Sequence, residues 1–236
     1  MIELSKRLQA VADFVTPSEC IVDIGTDHAY IPIYLVEKNY TNKAIAMDVN
    51  EGPLKKAREH ISSAGLEDRI ECRLSDGLRN LGENEAKCAI IAGMGGALII
   101  RILQDGERQA LNLKELILQP QSEISKVRAF LLEQGYQIQL EEMVLEEGKY
   151  YPMMKVIPLV NKHEKETWNH IELKYGKLLL QNRHPILKKY LEKEERLKLE
   201  IYNKLEAQQG ENIQKRKGEL AIELEYIKKG LEYYAV

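Results

Sequence analysis

Residues 20–30 read CIVDIGTDHAY, a short apolar run that ends in a glycine and a group of polar side chains. Four more apolar runs of similar length follow, at 43–49, 69–74, 87–93 and 114–120. Helix-favouring stretches lie between them, near 30–38, 51–64, 97–105 and 123–134. Strands that alternate with helices indicate βαβ units and a parallel sheet. The runs show little polar alternation, which is typical of strands covered on both faces.

Residues 136–160 break this alternation. They read YQIQLEEMVLEEGKYYPMMKVIPLV, two longer strand-like runs joined near Glu147–Lys149. The join leaves no room for a crossover helix, and strands joined by a tight turn must pair antiparallel. The predicted fold class is therefore α/β, with a mostly parallel sheet that has an antiparallel edge.

Residues 161–236 are rich in Glu, Lys and Leu and contain no convincing strand. Two apolar repeats with helical spacing flank the segment AQQGEN at 207–212: Leu187, Tyr190, Leu197, Ile201 and Leu205, then Ile213, Leu220, Leu224, Ile227, Leu231 and Tyr234. Such repeats predict an antiparallel coiled-coil hairpin. Pro185 fits the first turn of its long first helix, and a helical segment with Trp168, Ile171 and Tyr175 precedes it. We expect one domain at 1–160, built on the sheet, and a helical domain at 161–236.

The net charge of −3 conceals a difference between these two parts. Residues 161–236 carry 16 Lys+Arg and 13 Asp+Glu, net +3, whereas residues 1–160 carry 18 and 24, net −6. The basic clusters Lys188–Lys189 and Lys215–Arg216–Lys217 could follow the phosphates of a nucleic acid. A solvated helix face with paired charges explains them equally well. Lys6 and Arg7 add positive charge to the first helix, whose Leu4, Leu8 and Val11 favour packing on the sheet instead.

Several classes of protein are excluded by composition. The three cysteines, Cys20, Cys72 and Cys88, are an odd number without CxxC spacing, which argues against a disulfide framework and against a zinc site. No metal is expected. The sequence has no apolar run of about 18 residues, the length that a membrane-spanning helix needs. It also shows no secretory signal, so we expect a cytoplasmic location.

The end of the first strand carries the polar residues that favour a binding site. In an open α/β sheet, ligands bind outside the carboxyl ends of the strands. Asp23, Gly25, Asp27, His28 and Tyr30 all follow this strand end closely. Asp27 stands where a dinucleotide-binding motif has its second glycine, and its carboxylate would repel a pyrophosphate. A cationic or zwitterionic ligand, such as a sulfonium with an amino-acid tail, is compatible with it.

The second and third strands also end in acids. Asp48 precedes Asn50, and Asp76 precedes Gly77, so three strand-end acids stand 25 and 28 residues apart. Each alone could be a helix cap or a turn residue. An acid at the second strand end can hold ribose hydroxyls, and one at the third can accept from an adenine amine. This spacing resembles the S-adenosylmethionine site of Rossmann-like methyltransferases.

Two further motifs complete the pattern: AGMGG at 92–96 after the fourth strand, and the amide of Gln119 at the end of the fifth. Together, DIGTDHAYIP, AMDVNEGP, SDGL, AGMGG and LILQP resemble the bacterial tRNA (adenine-22-N1)-methyltransferase family. The resemblance covers the catalytic part almost throughout, and the helical hairpin matches the layout of that family. AGMGG stands in place of the Asn-Pro-Pro-Tyr motif of many adenine methyltransferases.

The resemblance implies transfer of a methyl group from S-adenosylmethionine to N1 of adenine 22 in tRNA, with S-adenosylhomocysteine as product. It implies tRNA as the partner, with no membrane and no obligatory protein partner. The expected cofactor ligands are Asp23, Gly25, Asp27, His28, Asp48, Asn50, Asp76, Gly77, Gly93 and Met94. The expected catalytic residues are Asp27, Tyr30, Met94 and Gly95. The expected RNA-binding residues are Lys6, Arg7, Lys188, Lys189, Lys215, Arg216 and Lys217.

Some roles stay open at the level of sequence. Asp27 either stabilises the positive charge that develops on the base or holds the methionine ammonium. No role is assigned to His60, His163, His170 or His184. Two other functions remain: a Rossmann-like methyltransferase that acts on a small molecule or a protein, and a non-catalytic adaptor that binds partners through the helical hairpin.

Overall fold

The structure, a computed structural model, describes residues 2–159, 166–206, 208 and 210–235. The chain divides into two compact units, Met1–Thr167 and Trp168–Val236. The boundary expected between residues 160 and 161, like His163, lies outside the described residues.

The first unit is built on a seven-stranded sheet with the order β3-β2-β1-β4-β5-β7-β6. Its strands are β1 Ser18–Ile24, β2 Thr41–Asp48, β3 Ile70–Leu74, β4 Cys88–Gly95, β5 Glu115–Ser122, β6 Tyr136–Glu146 and β7 Lys149–Pro158. The first five strands pair in parallel. Strand β7 runs antiparallel to both β5 and β6. The predicted α/β sheet with an antiparallel edge is confirmed.

The described residues of this unit contain six helices: α1 Lys6–Asp13, α2 Tyr30–Glu37, α3 Glu51–Ser63, α4 Gly96–Asp105, α5 Glu107–Asn112 and α6 Ile124–Gln134. The four helices expected between the strands are present, with ends shifted by no more than one residue. Helix α5 was not predicted, because its six residues carry too little periodicity to stand out from a loop.

Apolar side chains cover the central strands on both faces. Residues Ile21, Val22, Ile90 and Ile91 are completely buried, as expected for strands that helices cover on both sides. Val11 of α1 is also fully buried, and Leu4 and Leu8 pack against the same core. Helix α1 therefore packs on the core of the sheet through its apolar side chains, as their spacing indicated.

The order of the strands creates a natural place for a ligand. Strand β2 lies on one side of β1, and β4 lies on the other. Successive strands are thus added toward one edge of the sheet up to β3 and toward the other edge from β4, and this order reverses between β1 and β4. Crevices form outside the carboxyl ends of the strands at such a reversal. Apart from Lys6 and Arg7, the predicted site residues of this unit lie in the last residues of β1, β2 and β4 or on the segments that follow β1 to β3.

The edge hairpin is anchored by a buried ion pair. Arg128 of α6 donates through Nε to Glu141 Oε1 of β6 at 2.8 Å, and both side chains are at most 1% exposed. Breaking a buried pair of this kind leaves an uncompensated charge, which costs about 3–5 kcal/mol. The pair therefore fixes α6 against the antiparallel edge.

All the regular secondary structure in the described residues of the second unit is helical. It contains α7 His170–Tyr175, α8 Lys177–Gln181, α9 Pro185–Glu206 and α10 Glu211–Glu232. Helix α7 begins at a capping box formed by Asn169 and Glu172. Helix α9 begins at Pro185, where a missing N–H costs nothing. Helices α9 and α10 are the two long helices that the apolar repeats predicted.

The prediction of which α9 residues face α10 is partly wrong. Leu197 and Ile201 are 39% and 44% exposed, whereas Leu187 and Leu191 are completely buried. An ion-pair network occupies the middle of the hairpin: Lys198 contacts Glu194 of its own helix at 3.1 Å and Glu223 of α10 at 2.7 Å. The stripe that contains Lys198 therefore contacts α10, while Leu197 and Ile201 are largely exposed, and apolar spacing alone could not distinguish these two stripes.

Candidate functional site

The site begins at the carboxyl end of β1. Asp23 lies within the strand, between its neighbours Ala46 of β2 and Ile90 of β4, and is 7% exposed. The backbone N–H groups of Gly25 and Thr26 both donate to Met47 O, at 2.8 and 2.9 Å. Gly25 has a φ of +72°, a left-handed conformation that glycine adopts without steric cost. The strand therefore ends in a sharp turn that is tied to β2.

The turn continues in an unfavourable backbone conformation. His28 and Ala29 have φ values of 61° and 55°. Each is a left-handed residue with a Cβ, at a cost of roughly 1–2 kcal/mol. Two such residues in succession persist only where the surrounding structure holds them, and they cluster at functional sites. Helix α2 starts directly after them, at Tyr30.

A pocket of about 480 Å³ opens beside this turn. Six of the residues predicted to bind the cofactor or act in catalysis line it: Asp23, Gly25, Asp27, Tyr30, Gly93 and Met94. Arg7 and Leu8 of α1, Ile31, Ala92 and Gln121 complete the wall. The Asp27 side chain is 82% exposed and pairs with His28 Nε2 at 3.3 Å, so Asp27 stands at the rim. The pocket lies at the reversal of strand order between β1 and β4.

Burial gives Asp23 an unusual acidity. The pKa of its carboxyl is raised to about 6, chiefly by loss of hydration and to a smaller extent by the negative charges of Asp48 and Asp27. The Thr26 hydroxyl acts in the opposite direction. A carboxylate held under these conditions favours a positively charged partner, because a nearby cation would offset the lost hydration.

Gly25 and Met94 are packed closely on each other. A Cβ built on Gly25 would lie 2.0 Å from Met94 Cε, closer than any real contact. Met94 therefore reaches over the turn only because residue 25 is a glycine. Gly95, which follows, occupies the N-cap position of α4. The AGMGG motif thus joins β4 to α4 and brings Met94 to the pocket wall.

A network behind the pocket joins α1, β4 and β5. Gln119 is completely buried, and its Oε1 accepts from Gly93 N at 3.2 Å and from Arg7 Nη1 at 3.0 Å. The Arg7 guanidinium also lies over the Tyr151 ring, 5.5 Å from its centroid. Within the described chain, Gln119 Nε2 is buried without a hydrogen-bond partner. Arg7 is thus held in the pocket wall, a position that its sequence context did not reveal.

The structure does not bring all the predicted cofactor ligands into this pocket. The lining formed by the described residues lacks His28 and four others, which lie at the carboxyl ends of β2 and β3 or just after them: Asp48, Asn50, Asp76 and Gly77. Asp48 ends β2, and its Oδ1 accepts from Asn50 N at 2.7 Å. Asp76 is 40% exposed at its side chain and pairs with Arg79 at 3.3 Å and Arg101 at 3.4 Å. Gly77, with a φ of +61°, packs against Ile102. The acid at the third strand end is thus already neutralised by two arginines.

Two exposed apolar residues accompany these acids and were not predicted. Val49, directly after Asp48, is 58% exposed, and Leu74, which pairs with Asp48 across β2 and β3, is 51% exposed. The signal was present in the sequence as apolar residues at strand ends. The sequence alone could not distinguish these two exposed residues from the buried apolar residues of the strands.

A cluster of three rings borders the turn. His28, Tyr30 and His60 lie nearly parallel, with centroids 5.0–5.3 Å apart. His60 comes from α3, and its Nδ1 lies 3.1 Å from His28 O. No role was expected for His60, because it is separated by some 30 residues from the motif that it supports.

A second cavity, of about 310 Å³, lies at the opposite end of the sheet. It is lined where β1, β4 and β5 begin, and its carboxylate, Glu115, already accepts from Thr16 and pairs with Lys155 at 2.8 Å. Ligands of open α/β sheets bind at the carboxyl ends instead. Among the described residues, no group of three or more His, Cys, Asp and Glu side chains is arranged to hold a metal.

Comparison with known proteins agrees with this geometry. Residues 4–154 match the family described as "Methyltransferase domain". The tRNA (adenine(22)-N(1))-methyltransferase of Bacillus subtilis strain 168 is 39% identical over 154 residues, which span 65% of this chain and 64% of that protein. The crystal structure of the B. subtilis M1A22 tRNA methyltransferase TrmK is 30% identical, covers 98% of this chain and 100% of its own, and superposes with a TM-score of 0.83.

The chain belongs to the tRNA (adenine-22-N1)-methyltransferase family. A further member, Sp1610 of Streptococcus pneumoniae, has been solved in complex with S-adenosyl-L-methionine. It is 33% identical, covers 97% of this chain and all of its own, and superposes with a TM-score of 0.83. The family that the sequence resembled is thus confirmed.

The basic residues that were predicted to bind RNA occupy different environments. Lys6 is exposed on α1. In the helical unit, Lys188 and Lys189 are also exposed, and Lys188 lies 3.9 Å from Glu192. Arg216 is engaged by Glu219 at 2.9 Å and by Glu223 at 3.7 Å. Lys215 is exposed, while Lys217 lies over the Tyr202 ring. Part of the basic run of this family member is thus paired within its own hairpin.

None of the helices in the described parts of the chain combines the length and apolar character that crossing a bilayer requires.

Proposed function

We propose that this chain transfers the methyl group of S-adenosylmethionine to N1 of adenine 22 in tRNA. The observation that carries the proposal is the pocket at the β1–β4 reversal, where the buried carboxylate of Asp23, the exposed carboxylate of Asp27 and the guanidinium of Arg7 lie together. The relatives that share this fold are named tRNA methyltransferases. The relatives supply the name of the reaction, and the charges of the pocket fit its cofactor.

The fit to the cofactor follows from the charges. S-adenosylmethionine carries a sulfonium, an ammonium and a carboxylate. Asp23 and Asp27 offer negative charge for the ammonium and the sulfonium, and Arg7 offers a cation for the carboxylate. Gly93 is left-handed and has no Cβ to project between Arg7 and Gln121, whereas the corresponding space at Gly25 is taken by Met94. The residues therefore suit a zwitterionic tail with an extra positive charge.

The adenosine part of the cofactor would be held farther along the sheet. Asp48 is suited to the ribose hydroxyls, since one of its carboxylate oxygens is already oriented by Asn50 N. The exposed Val49 and Leu74 beside it offer an apolar surface to the adenine ring. Asp76 and Gly77 stay in the proposed set, with Asp76 shared between the ligand and its two arginines. His28 takes part through Asp27, to which it is paired.

When bound, S-adenosylmethionine would supply the methyl group, which passes from its sulfonium sulfur to N1 and leaves the adenine positively charged. The N1 lone pair of adenine is free to attack, so no proton has to leave for the bond to form, and a strong general base is not required. The residues of this chain therefore act by positioning, which can supply about 7–11 kcal/mol of the barrier. Asp27 stabilises the positive charge on the base, Tyr30 stacks on it, and Met94 and Gly95 shape its pocket.

An adenine inside a folded RNA must leave its stack to reach such a pocket, at a cost of a few kcal/mol. We assign the compensating contacts to residues 161–236, with net charge +3, which would recognise phosphates and shape rather than bases. Lys188, Lys189, Lys215 and Lys217 are the main candidates, with Lys6 on α1. Arg216 is the weakest, because two glutamates already hold it. A cytoplasmic location and an absence of obligatory protein partners belong to the same proposal.

The deciding experiment is methyl transfer to unmodified tRNA with labelled S-adenosylmethionine, followed by nucleoside analysis. We expect label in 1-methyladenosine, and none when adenine 22 of the transcript is replaced by guanine. Label in another nucleoside would revise the target. Methyl transfer to a protein or small-molecule fraction that survives RNase would support the other kind of methyltransferase. An absence of cofactor binding in calorimetry would support a non-catalytic adaptor.

A further inference from the structure

His60 of α3 is tied to the turn that carries Asp27 and Tyr30. Its Nδ1 lies 3.1 Å from the backbone oxygen of His28. A carbonyl oxygen only accepts hydrogen bonds, so Nδ1 carries the proton and donates. The His60 ring also stacks on His28 and on Tyr30, with centroid distances of 5.0 and 5.3 Å. One side chain thus contacts both halves of the turn.

This turn needs support from outside itself. His28 and Ala29 are both left-handed although neither is a glycine, and such a conformation relaxes unless neighbouring groups hold it. Ala29 is completely buried and Ile33 N donates to its oxygen at 3.0 Å, which fixes the end that enters α2. The Asp27 side chain, by contrast, is 82% exposed, so burial does not orient it. The contact from His60 reaches the turn between these two points.

We propose that His60 is a positioning residue for methyl transfer. It holds the His28 peptide so that Asp27 and Tyr30, on either side, face the pocket. His60 acts through them, since its own ring is not part of the pocket wall formed by the described residues. The inference rests on the proposed function, because it concerns the orientation of the residues to which that function assigns the acceptor base.

Three variants separate the two contacts of His60. His60→Phe keeps a ring for stacking and removes the donor, whereas His60→Gln keeps a donor and removes the ring. His60→Leu removes both and gives a second test should His60→Phe fold poorly. Lys56→Ala, an exposed change on the same helix, is the matched control. All are made in the full chain.

We expect His60→Phe to lower kcat on tRNA by about 10- to 100-fold, the scale of a small misplacement of reacting groups. The KM for S-adenosylmethionine should stay within about twofold, and His60→Gln should recover part of kcat. Hydrogen exchange of backbone amides 26–31, followed by mass spectrometry without tRNA, should accelerate in His60→Phe and His60→Leu. The Lys56→Ala chain should match the wild type in both measurements.

The outcomes separate this inference from the function on which it rests. A wild-type chain that transfers no methyl group to tRNA would overturn the function itself. In an active enzyme, unchanged kcat in His60→Phe and His60→Leu would overturn only the role of His60. So would a loss of kcat with unchanged exchange at residues 26–31, or a loss that merely follows a lower fraction of folded protein.

Discussion

At the scale of single residues, Asp23 combines burial with a position beside the proposed cofactor. Its pKa is raised to about 6, chiefly by burial, so the carboxyl binds a proton more tightly in the folded chain than in the unfolded chain. The stabilising contribution of that proton is present at low pH and is lost as pH rises from about 4, the unfolded pKa, to about 6. At neutral pH the site holds a carboxylate that a bound cation would stabilise.

Cofactor affinity should therefore depend on pH. We expect the Kd for S-adenosylmethionine to weaken about tenfold from pH 7 to pH 5, because binding must then ionise Asp23. Calorimetry in buffers of different ionisation enthalpy should detect proton release near pH 6. Asp23→Asn should bind weakly without this pH dependence and be more stable than wild type at pH 7 by roughly 1–3 kcal/mol. Asp68→Asn, at an exposed acid, should keep the wild-type profile, and a flat profile in the wild type would contradict the role of Asp23.

Gly25 offers a second test at this scale, with Gly65 as its control. Both have left-handed backbones, with φ of +72° and +66°, but a Cβ meets Met94 at Gly25 and nothing within 4 Å at Gly65. Gly25→Ala and Gly65→Ala should each lose roughly 1 kcal/mol of stability in urea unfolding. Only Gly25→Ala should also weaken cofactor binding, by about tenfold or more, because it displaces Met94 from the pocket wall. Equal affinities in the two variants would show that this packing is irrelevant to the ligand.

At the scale of elements, the helical hairpin is asymmetric in its packing. Near its middle, Lys198, Glu194 and Glu223 form a charged contact between α9 and α10. Toward the end of α10, Gly230 is buried, and a Cβ there would lie 3.2 Å from Leu191 and 3.3 Å from Tyr175. The helices thus approach closely at one end and are joined by long polar side chains in the middle.

Two glycines of α10 make this asymmetry measurable. Gly218 has nothing within 4 Å of an added Cβ, so Gly218→Ala should stabilise the chain by about 0.5–1 kcal/mol through helix propensity. Gly230→Ala gains the same propensity but crowds Leu191 and Tyr175, and we expect it to be less stable than Gly218→Ala by at least 1 kcal/mol. Chemical unfolding followed by circular dichroism measures both. Equal stabilisation would mean that the hairpin is looser at Gly230 than the structure indicates.

At the scale of the whole molecule, charge is distributed unevenly between the two parts of the chain. The excess of positive charge lies in residues 161–236, and the acids of the cofactor site lie in residues 1–160. Binding of an RNA polyanion by the first part would have to overcome its own net charge of −6. The proposed division of work between the parts therefore has an electrostatic reason.

Neutralising the basic side chains of the helical unit tests this division. A chain with Lys188, Lys189, Lys215 and Lys217 changed to Gln should bind tRNA about 100-fold more weakly near 0.1 M salt. The slope of log K against log salt concentration should fall by up to about 3. The Kd for S-adenosylmethionine should not change. Changing Lys38, Lys43, Lys55 and Lys56, exposed on the first unit, removes the same charge; if it weakens tRNA binding equally, the contacts are not specific to the helical unit.

Much of the catalytic fold and part of the site were predictable from local pattern. Five apolar runs, the glycine after Asp23 and the tight join near Gly148 are local signals, and each led to the observed element. Leu197 and Ile201 were placed wrongly, because apolar spacing reports a helix but not which of two adjacent stripes meets its neighbour. The sequence did not indicate the positions of Arg7 and His60, because their partners, Gln119 and His28, lie more than 30 residues away along the chain.

The amino-acid sequence by itself determined the order of strands and helices, the acids at the strand ends and the separation of charge along the chain. These follow from periodicity and composition, which act over a few residues at a time. Only the tertiary structure decided that Arg7 lines the pocket, that Asp76 is shared by two arginines and that His60 supports the turn at His28. Such contacts depend on how distant segments pack, because a side chain acquires its partner and its hydration only when the elements have come together.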